Sequence, residues 1–422
     1  MSQMATASAR AKIPLHMTTL AAFLLPALAL WVPSGYSYSA LILLLGALIF
    51  APVWVRRRPD GATLVLALLM VGMGGMWFLL SLDVGASRWD KGLKWLLGAV
   101  SLLFVVAYPP RPRAFNLGLP MGCVGMGALA LWQTVGQGMA RATGYTNAIQ
   151  WGNLALLLAC LAAVPLVVFW RVDRKPWRML MVVAVGLGLA ASLLSQSRGG
   201  WVALAGVLAL WLVVVWRIRP RLMLPLVAGA AGLLVVLALV LGLTPRFKER
   251  IDLATTEISG YLDTGKENTS VGLRLAQYGL VAQLIPQKPW LGWGAHGFVA
   301  EMQRRVDAGE YGPEMMHYPQ VHNDFLDVWV KVGILGVALQ ATLFVWVLGI
   351  FWPSRARLAR YAEDSPLWRE VLALRVMGCV VPVAYLLFGM SQPFFNHNSG
   401  IMCFVFYVAV LWSALQGVER GR

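Results

Sequence analysis

Apolar residues run along this chain in long blocks, and polar residues are confined mostly to short gaps between them. A helix that crosses a bilayer needs about 20 mostly apolar residues. Twelve blocks come close to that length: 16–33, 38–55, 62–82, 92–108, 114–137, 149–170, 179–197, 199–216, 222–243, 323–351, 372–390 and 399–416. One gap breaks the rhythm. Residues 244–321 are too polar for a span and too long for a turn. Within them, Pro245 to Leu262 has the pattern of an amphipathic helix. Ser270 to about Leu284 has it too, with Leu273, Leu280, Val281 and Leu284 on one stripe. The pattern predicts an all-α, polytopic integral membrane protein of about 12 transmembrane helices. It divides into residues 1–243 with nine spans, a loop at 244–321 with amphipathic helices, and residues 322–422 with three more spans and a short tail.

Composition supports this and then settles the orientation. Hydrophobic residues make up 59% of the chain and charged residues 13%, where an ordinary soluble protein is about 25% charged. The 35 Lys and Arg against 19 Asp and Glu do not point to nucleic acid, because they are clustered at every second connection. The clusters are Arg10/Lys12, Arg56–Arg58, Arg111/Arg113, Arg171/Arg174/Lys175/Arg178, Arg217/Arg219/Arg221, Arg355/Arg357/Arg360/Arg369 and Arg420/Arg422. The short loops opposite hold only Arg88, Lys91, Lys94, Arg141 and Arg198. Positive charge marks the cytoplasmic side, so both termini are expected there and 244–321 outside. Arg10 and Lys12 precede an apolar run with no small-residue cleavage site, which predicts a retained first helix. Cys123, Cys160, Cys379 and Cys403 all lie in apolar runs without CxxC spacing, so neither disulfides nor a cysteine metal site is expected.

Candidate chemistry collects at the outer rim. Arg198, in Ser197-Arg198-Gly199-Gly200, is the sole charge between Met179 and Trp216. An Arg at that depth either snorkels to headgroups or clamps an anion with its bidentate fork. Arg274, at the start of the second loop helix, is either one solvated charge or a second guanidinium for the same anion. Arg246, Lys248 and Arg250 read as surface or headgroup contacts. His322 opens the tenth span and has the titration range to take a proton from a hydroxyl near neutral pH; capping or interfacial packing is the plainer alternative. Asp324, two residues on, points elsewhere on a helix, and Asp327 pairs with Lys331 at i, i+4. Gly333 and Gly336 leave one face of that span open to close packing. His296, His317 and His397 are further outer-side candidates. Gly292-Trp293-Gly294-Ala295-His296-Gly297 fits GxGxxG, but no strand precedes it, so it reads as a compact turn and not a nucleotide site. No HExxH or carboxylate cluster has metal-ligand spacing.

The stretch from His322 resembles the O-antigen ligase family of Gram-negative bacteria. Its mark is His, then Asn, Ser or Gln, nine residues, Gly, two residues and Gly, Thr or Tyr; here these are His322, Asn323, Gly333 and Gly336. The resemblance implies about twelve spans, a long periplasmic loop between spans nine and ten, and a GT-C-like glycosyltransferase of the inner membrane with its active site on the periplasmic face. It implies an undecaprenyl-pyrophosphate-linked O-antigen as donor and a sugar hydroxyl of lipid A–core as acceptor. The two functional arginines map to Arg198 and Arg274, with Asn323 beside the substrate and His322 as general base, and no metal or other cofactor is implied. The superfamily also holds O-antigen polymerases and protein O-oligosaccharyltransferases. The short tail after the last span argues against the latter. A secondary transporter is the rival of another class. It would carry its polar groups near the midplane, whereas here they sit at helix ends.

Overall fold

The computed structural model describes residues 2–82, 89–224 and 269–421, with a few isolated positions between 227 and 256. Within these residues there is no strand, and the chain is an all-α, multi-pass membrane protein. In hydrocarbon a lone segment can satisfy its own N–H and C=O groups only as a helix. The helices are α1 (Ser2–Leu28), α2 (Gly35–Ile49), α3 (Gly61–Leu82), α4 (Asp90–Ala107), α5 (Pro112–Leu131), α6 (Ala148–Val168), α7 (Lys175–Leu194) and α8 (Arg198–Ile218). After them come α9 (Ser270–Leu284), α10 (Gly294–Asp307), α11 (Asp324–Val332), α12 (Ile334–Phe351), α13 (Pro366–Gly389) and α14 (Asn398–Glu419). Among the described residues, eight helices are long and apolar enough to cross a membrane: α3, α5 with its π-helical extension to Gly136, α6, α7, α8, α12, α13 and α14. The apolar stretches Lys12–Leu28 and Gly35–Ile49 are shorter, and α4 begins with the charges Asp90, Lys91 and Lys94. More than half of the expected span at 222–243 falls outside the described residues, and so does the expected helix at Pro245–Leu262 apart from Thr256, with Arg246, Lys248 and Arg250.

The bundle is built around α14, which is apolar on every side and therefore buried on every side. It packs on α4, α13 and α2. At its start an aromatic knot fixes the turn before it. The Phe395 ring lies 5.2 Å from those of Trp95 and Phe404, and the Tyr385 hydroxyl donates to Gly400 O at 2.8 Å. His397, at the end of that turn, is thereby placed by the core.

A second, smaller core belongs to the loop region. The expected stripe Leu273, Leu280, Val281 and Leu284 on α9 is buried against Phe298 and Met302 of α10, Met315, Val321 and Val330 of α11. This layer carries α11 to the membrane bundle.

The expected continuous span 323–351 is two helices. Gly333 lies between α11 and α12 at φ 80°, ψ −172°, a conformation essentially reserved for glycine. Ile334 N donates to Pro289 O at 2.8 Å, outside the helix ladder. A Cβ on Gly333 would stand 2.1 Å from Trp290 O. The Pro289–Gly292 turn is thus clasped against the break, and it too depends on glycine. Gly292 has φ 68°, and a Cβ there would meet Lys331 C at 2.4 Å. Gly333 therefore serves a turn and not the open helix face expected of it. Gly336 fits that expectation better, since a Cβ there would press on Val332 and Val328 within 2.9 Å.

Candidate functional site

Between the starts of several helices lies a cavity of about 670 Å³, lined by Arg141, Asn147, Arg274, His317, His322 and His397 among others. Its walls explain its charge preference. The first residues of α6 (Ala148, Ile149) and the fourth and fifth of α9 (Leu273, Arg274) line it, as do their N-caps Asn147 and Thr269, His322 just ahead of α11 and His397 just ahead of α14. Each of these helices presents its N-terminal end, where unpaired N–H groups and the macrodipole give partial positive charge. Arg141 and Arg274 add two full charges, and Glu314 is the acidic residue in the lining. Four positive helix ends and two guanidinium groups around one polar cavity make an anion seat.

Arg141 lies on the loop before α6, and its Nε donates to Ser195 O at 3.1 Å. That bond ties the cavity wall to the turn that opens α8 at Arg198. Ser197, the residue before that helix, donates its hydroxyl to Asn153 Oδ1 at 2.8 Å and does not cap the helix. Gly199 and Gly200 are both closely packed by neighbouring side chains. A Cβ on Gly199 would stand 2.1 Å from Ser391 Oγ, and one on Gly200 would stand 2.9 Å from Asn153 Oδ1.

His322 is held at its backbone carbonyl and on its ring. Its carbonyl accepts from Tyr278 Oη at 3.1 Å. Its Nδ1 is 3.0 Å from Gln277 Oε1. The Tyr318 ring meets it edge-on, 5.5 Å between centroids. Burial, and then the charge of Arg274, push the imidazole down to about 4, with Asp327 opposing. The ring is therefore neutral at physiological pH. His397, a second half-buried histidine of the cavity, is also pushed down to about 4, by burial and by Lys91. Gln392 Nε2 lies 3.1 Å from its Nε2. His317 lines the same cavity, whereas His296 is an exposed residue of α10.

Asn323 is the N-cap of α11. Its Oδ1 accepts from Phe325 N at 3.0 Å and Leu326 N at 3.1 Å, and its Nδ2 reaches Met390 O at 3.4 Å. The two carboxylates of α11 are buried and do different jobs. Asp324 packs under Gly389 and accepts from Phe395 N at 3.4 Å. Asp327 pairs with Lys331 at 2.6 Å, as their spacing predicts, and also accepts from Val321 N and Asn396 Nδ2. Lys331 in turn donates to Pro319 O at 3.2 Å. The loop carrying His322 is thereby fixed to the helix that follows it.

Sequence reasoning singled out His322, Arg274, His317 and His397 separately, and the fold gathers them in one cavity. It missed Gln277 and Arg141. Gln277 and Tyr278 stand three and four residues after Arg274, so all three share a helix face; that spacing was the available signal. Arg141 comes from a distant loop and gave none. Among the described residues no three His, Cys, Asp or Glu side chains are grouped to hold a metal ion.

Residues 183–341 match the family model described as O-antigen ligase. That match supports membership of the O-antigen ligase/polymerase superfamily. Members are glycosyltransferase-like membrane enzymes acting on lipid-linked polysaccharide. The match runs from α7 into α12 and so includes Arg198, Arg274, Gln277, His322, Gly333 and Gly336. Arg141, Asn147 and His397 line the same cavity from outside it. The chain is also similar to an uncharacterized protein of Haemophilus influenzae (strain ATCC 51907 / DSM 11121 / KW20 / Rd), 25% identical over 391 residues, which are 89% of this chain and 94% of the relative. In this chain the motif's first glycine is the break at Gly333. Its Asn323 is a residue type that caps helices well.

Proposed function

We propose that this chain is an O-antigen ligase of the bacterial inner membrane. It transfers O-antigen polysaccharide from undecaprenyl pyrophosphate to a sugar hydroxyl of lipid A–core, on the periplasmic face, and the product is lipopolysaccharide. The observation that carries the reading is a neutral imidazole, His322, beside Arg274 in a cavity ringed by positive helix ends. In the proposed step His322 removes the proton from the acceptor hydroxyl. The oxygen attacks the anomeric carbon of the donor as the bond from that carbon to the pyrophosphate oxygen breaks, and the electron pair leaves with the pyrophosphate. A single displacement inverts the anomeric centre. Arg198 and Arg274 neutralise the leaving group, a task for which the bidentate guanidinium is suited. General-base assistance of this kind is typically worth ~10²–10⁴-fold. The reading needs no metal, since the guanidinium groups supply the charge.

The test is a deletion strain, read for both lipopolysaccharide and lipid-linked glycan. A ligase leaves bare core and a backlog of polymerised lipid-linked glycan. Core capped by a single repeat would identify a polymerase instead, and an unchanged lipopolysaccharide ladder would overturn both.

A further inference from the structure

We infer that Gln277 is a positioning residue that fixes the tautomer of His322, directing the lone pair of Nε2 toward the acceptor. The inference rests on the reading of His322 as the general base. The donors and acceptors around Gln277 and His322 have one consistent arrangement.

Gln277 is 1% exposed, so its amide has no water to satisfy it. Its Nε2 is 3.0 Å from Tyr318 O. A backbone carbonyl only accepts, so the NH₂ end of the amide must face it. The opposite orientation would set oxygen against oxygen. With that end fixed, Oε1 faces His322 Nδ1 at 3.0 Å. An amide oxygen only accepts as well, so Nδ1 must carry the ring proton. A neutral imidazole has one N–H, and Nε2 is left with its lone pair.

The support is local and rigid. Tyr318 provides the carbonyl that orients Gln277 and the ring that packs edge-on against His322. Tyr278, next to Gln277 on α9, bonds the His322 carbonyl. Two consecutive α9 residues thus hold the ring and the backbone of His322, while Arg274, one turn earlier, lines the same cavity. The choice of a neutral amide over a carboxylate matters. A carboxylate at this position would also orient the ring, but it would favour the imidazolium. Gln277 orients without that effect. The charged and titratable groups facing the ring are then Arg274 from α9, which opposes protonation, and Asp327 from α11, which favours it, with Tyr278 and Tyr318 alongside.

The experiment uses full-length protein in nanodiscs, labelled with ¹⁵N-histidine, the His322 signals being assigned by their loss in His322→Gln. Wild type is expected to show Nδ1 protonated and Nε2 bare. Gln277→Met keeps the volume and removes the amide, and should lose that single tautomer. Its kcat in a transfer assay with the undecaprenyl-pyrophosphate-linked O-antigen pool and lipid A–core should fall roughly tenfold or more, bounded by the ~10²–10⁴ of general-base catalysis, with the donor KM little changed. Gln277→Glu should keep the tautomer and move the acid limb of the pH–rate profile to higher pH. A His322 tautomer unchanged in Gln277→Met overturns the inference. A lost tautomer with undiminished kcat leaves the orientation standing and overturns the role of His322 as base.

Discussion

Gly333 and Trp290 approach so closely that a single methyl group on Gly333 would overlap the Trp290 carbonyl oxygen. Gly333→Ala is therefore expected to strain the backbone by about 1–3 kcal/mol and to part the Pro289–Gly292 turn from the start of α12. A lower unfolding temperature in detergent, with weakened transfer, is the expected outcome. Wild-type stability in the alanine variant would show that the turn is not clasped there.

Asp327 and Lys331 form a buried pair, 3% and 8% exposed. Removing one partner leaves a buried charge alone, which costs about 3–5 kcal/mol. Asp327→Ala and Lys331→Met should each destabilise by amounts of that order, and the double variant by clearly less than their sum. Thermal or denaturant unfolding of the four proteins closes the cycle; simple additivity would mean the pair does not couple.

The pH profile follows from the sign of the His322 shift. The neutral ring is the active form and its pKa is pushed down to about 4, so kcat/KM should be flat across neutral pH and fall only as pH drops toward that value. Bound pyrophosphate places negative charge near the ring and offsets Arg274, which raises the pKa. Since kcat reports the substrate complex, its acid limb should lie at higher pH than that of kcat/KM. An acid limb for kcat at or below that of kcat/KM would contradict this arrangement.

Arg198→Ala, at the turn tied to the cavity wall, and Arg274→Ala, in the cavity lining, are each expected to abolish or greatly reduce transfer while the protein still inserts, with partial rescue by Lys. Arg141→Ala should raise the donor KM. His322→Ala should lose most turnover and still bind donor, and His322→Gln should be no better, since an amide cannot take the proton. Chelator should leave the purified enzyme active. Full activity in an alanine variant would remove that arginine from the site, and near-normal turnover in His322→Gln would leave the histidine a binding residue.

Orientation is checked by cysteine labelling, for which the buried native cysteines give little background. Ala300→Cys on the exposed side of α10 should label from the periplasm and Ser354→Cys only after permeabilisation. The reverse pattern would invert the chain in the membrane.

The helices were legible because each is written locally, as a run of apolar residues or a stripe such as Leu273, Leu280, Val281 and Leu284. The Asp327–Lys331 pair was legible for the same reason, being one turn apart. The break at Gly333 was not. Its cause is the Pro289–Trp290 turn more than forty positions earlier, and an apolar stretch reads alike whether or not a distant turn interrupts it. The role of Gln277 was hidden likewise, since its partner is 45 positions away and its spacing from Arg274 marks only a shared helix face. Arg198 and Arg274 were found by isolation of charge and by likeness to a family.

The contacts of α11 also fix when the site can first exist. Asn323 reaches Met390, Asp324 takes a hydrogen bond from Phe395, and Asp327 takes one from Asn396, all on the turn before the last helix. A growing chain emerges from its N-terminus onward, so every motif residue is made well before the residues that hold α11 in place. The assembled cavity therefore arrives with the final span, and a nascent chain stalled ahead of it lacks the contacts that hold α11 in place.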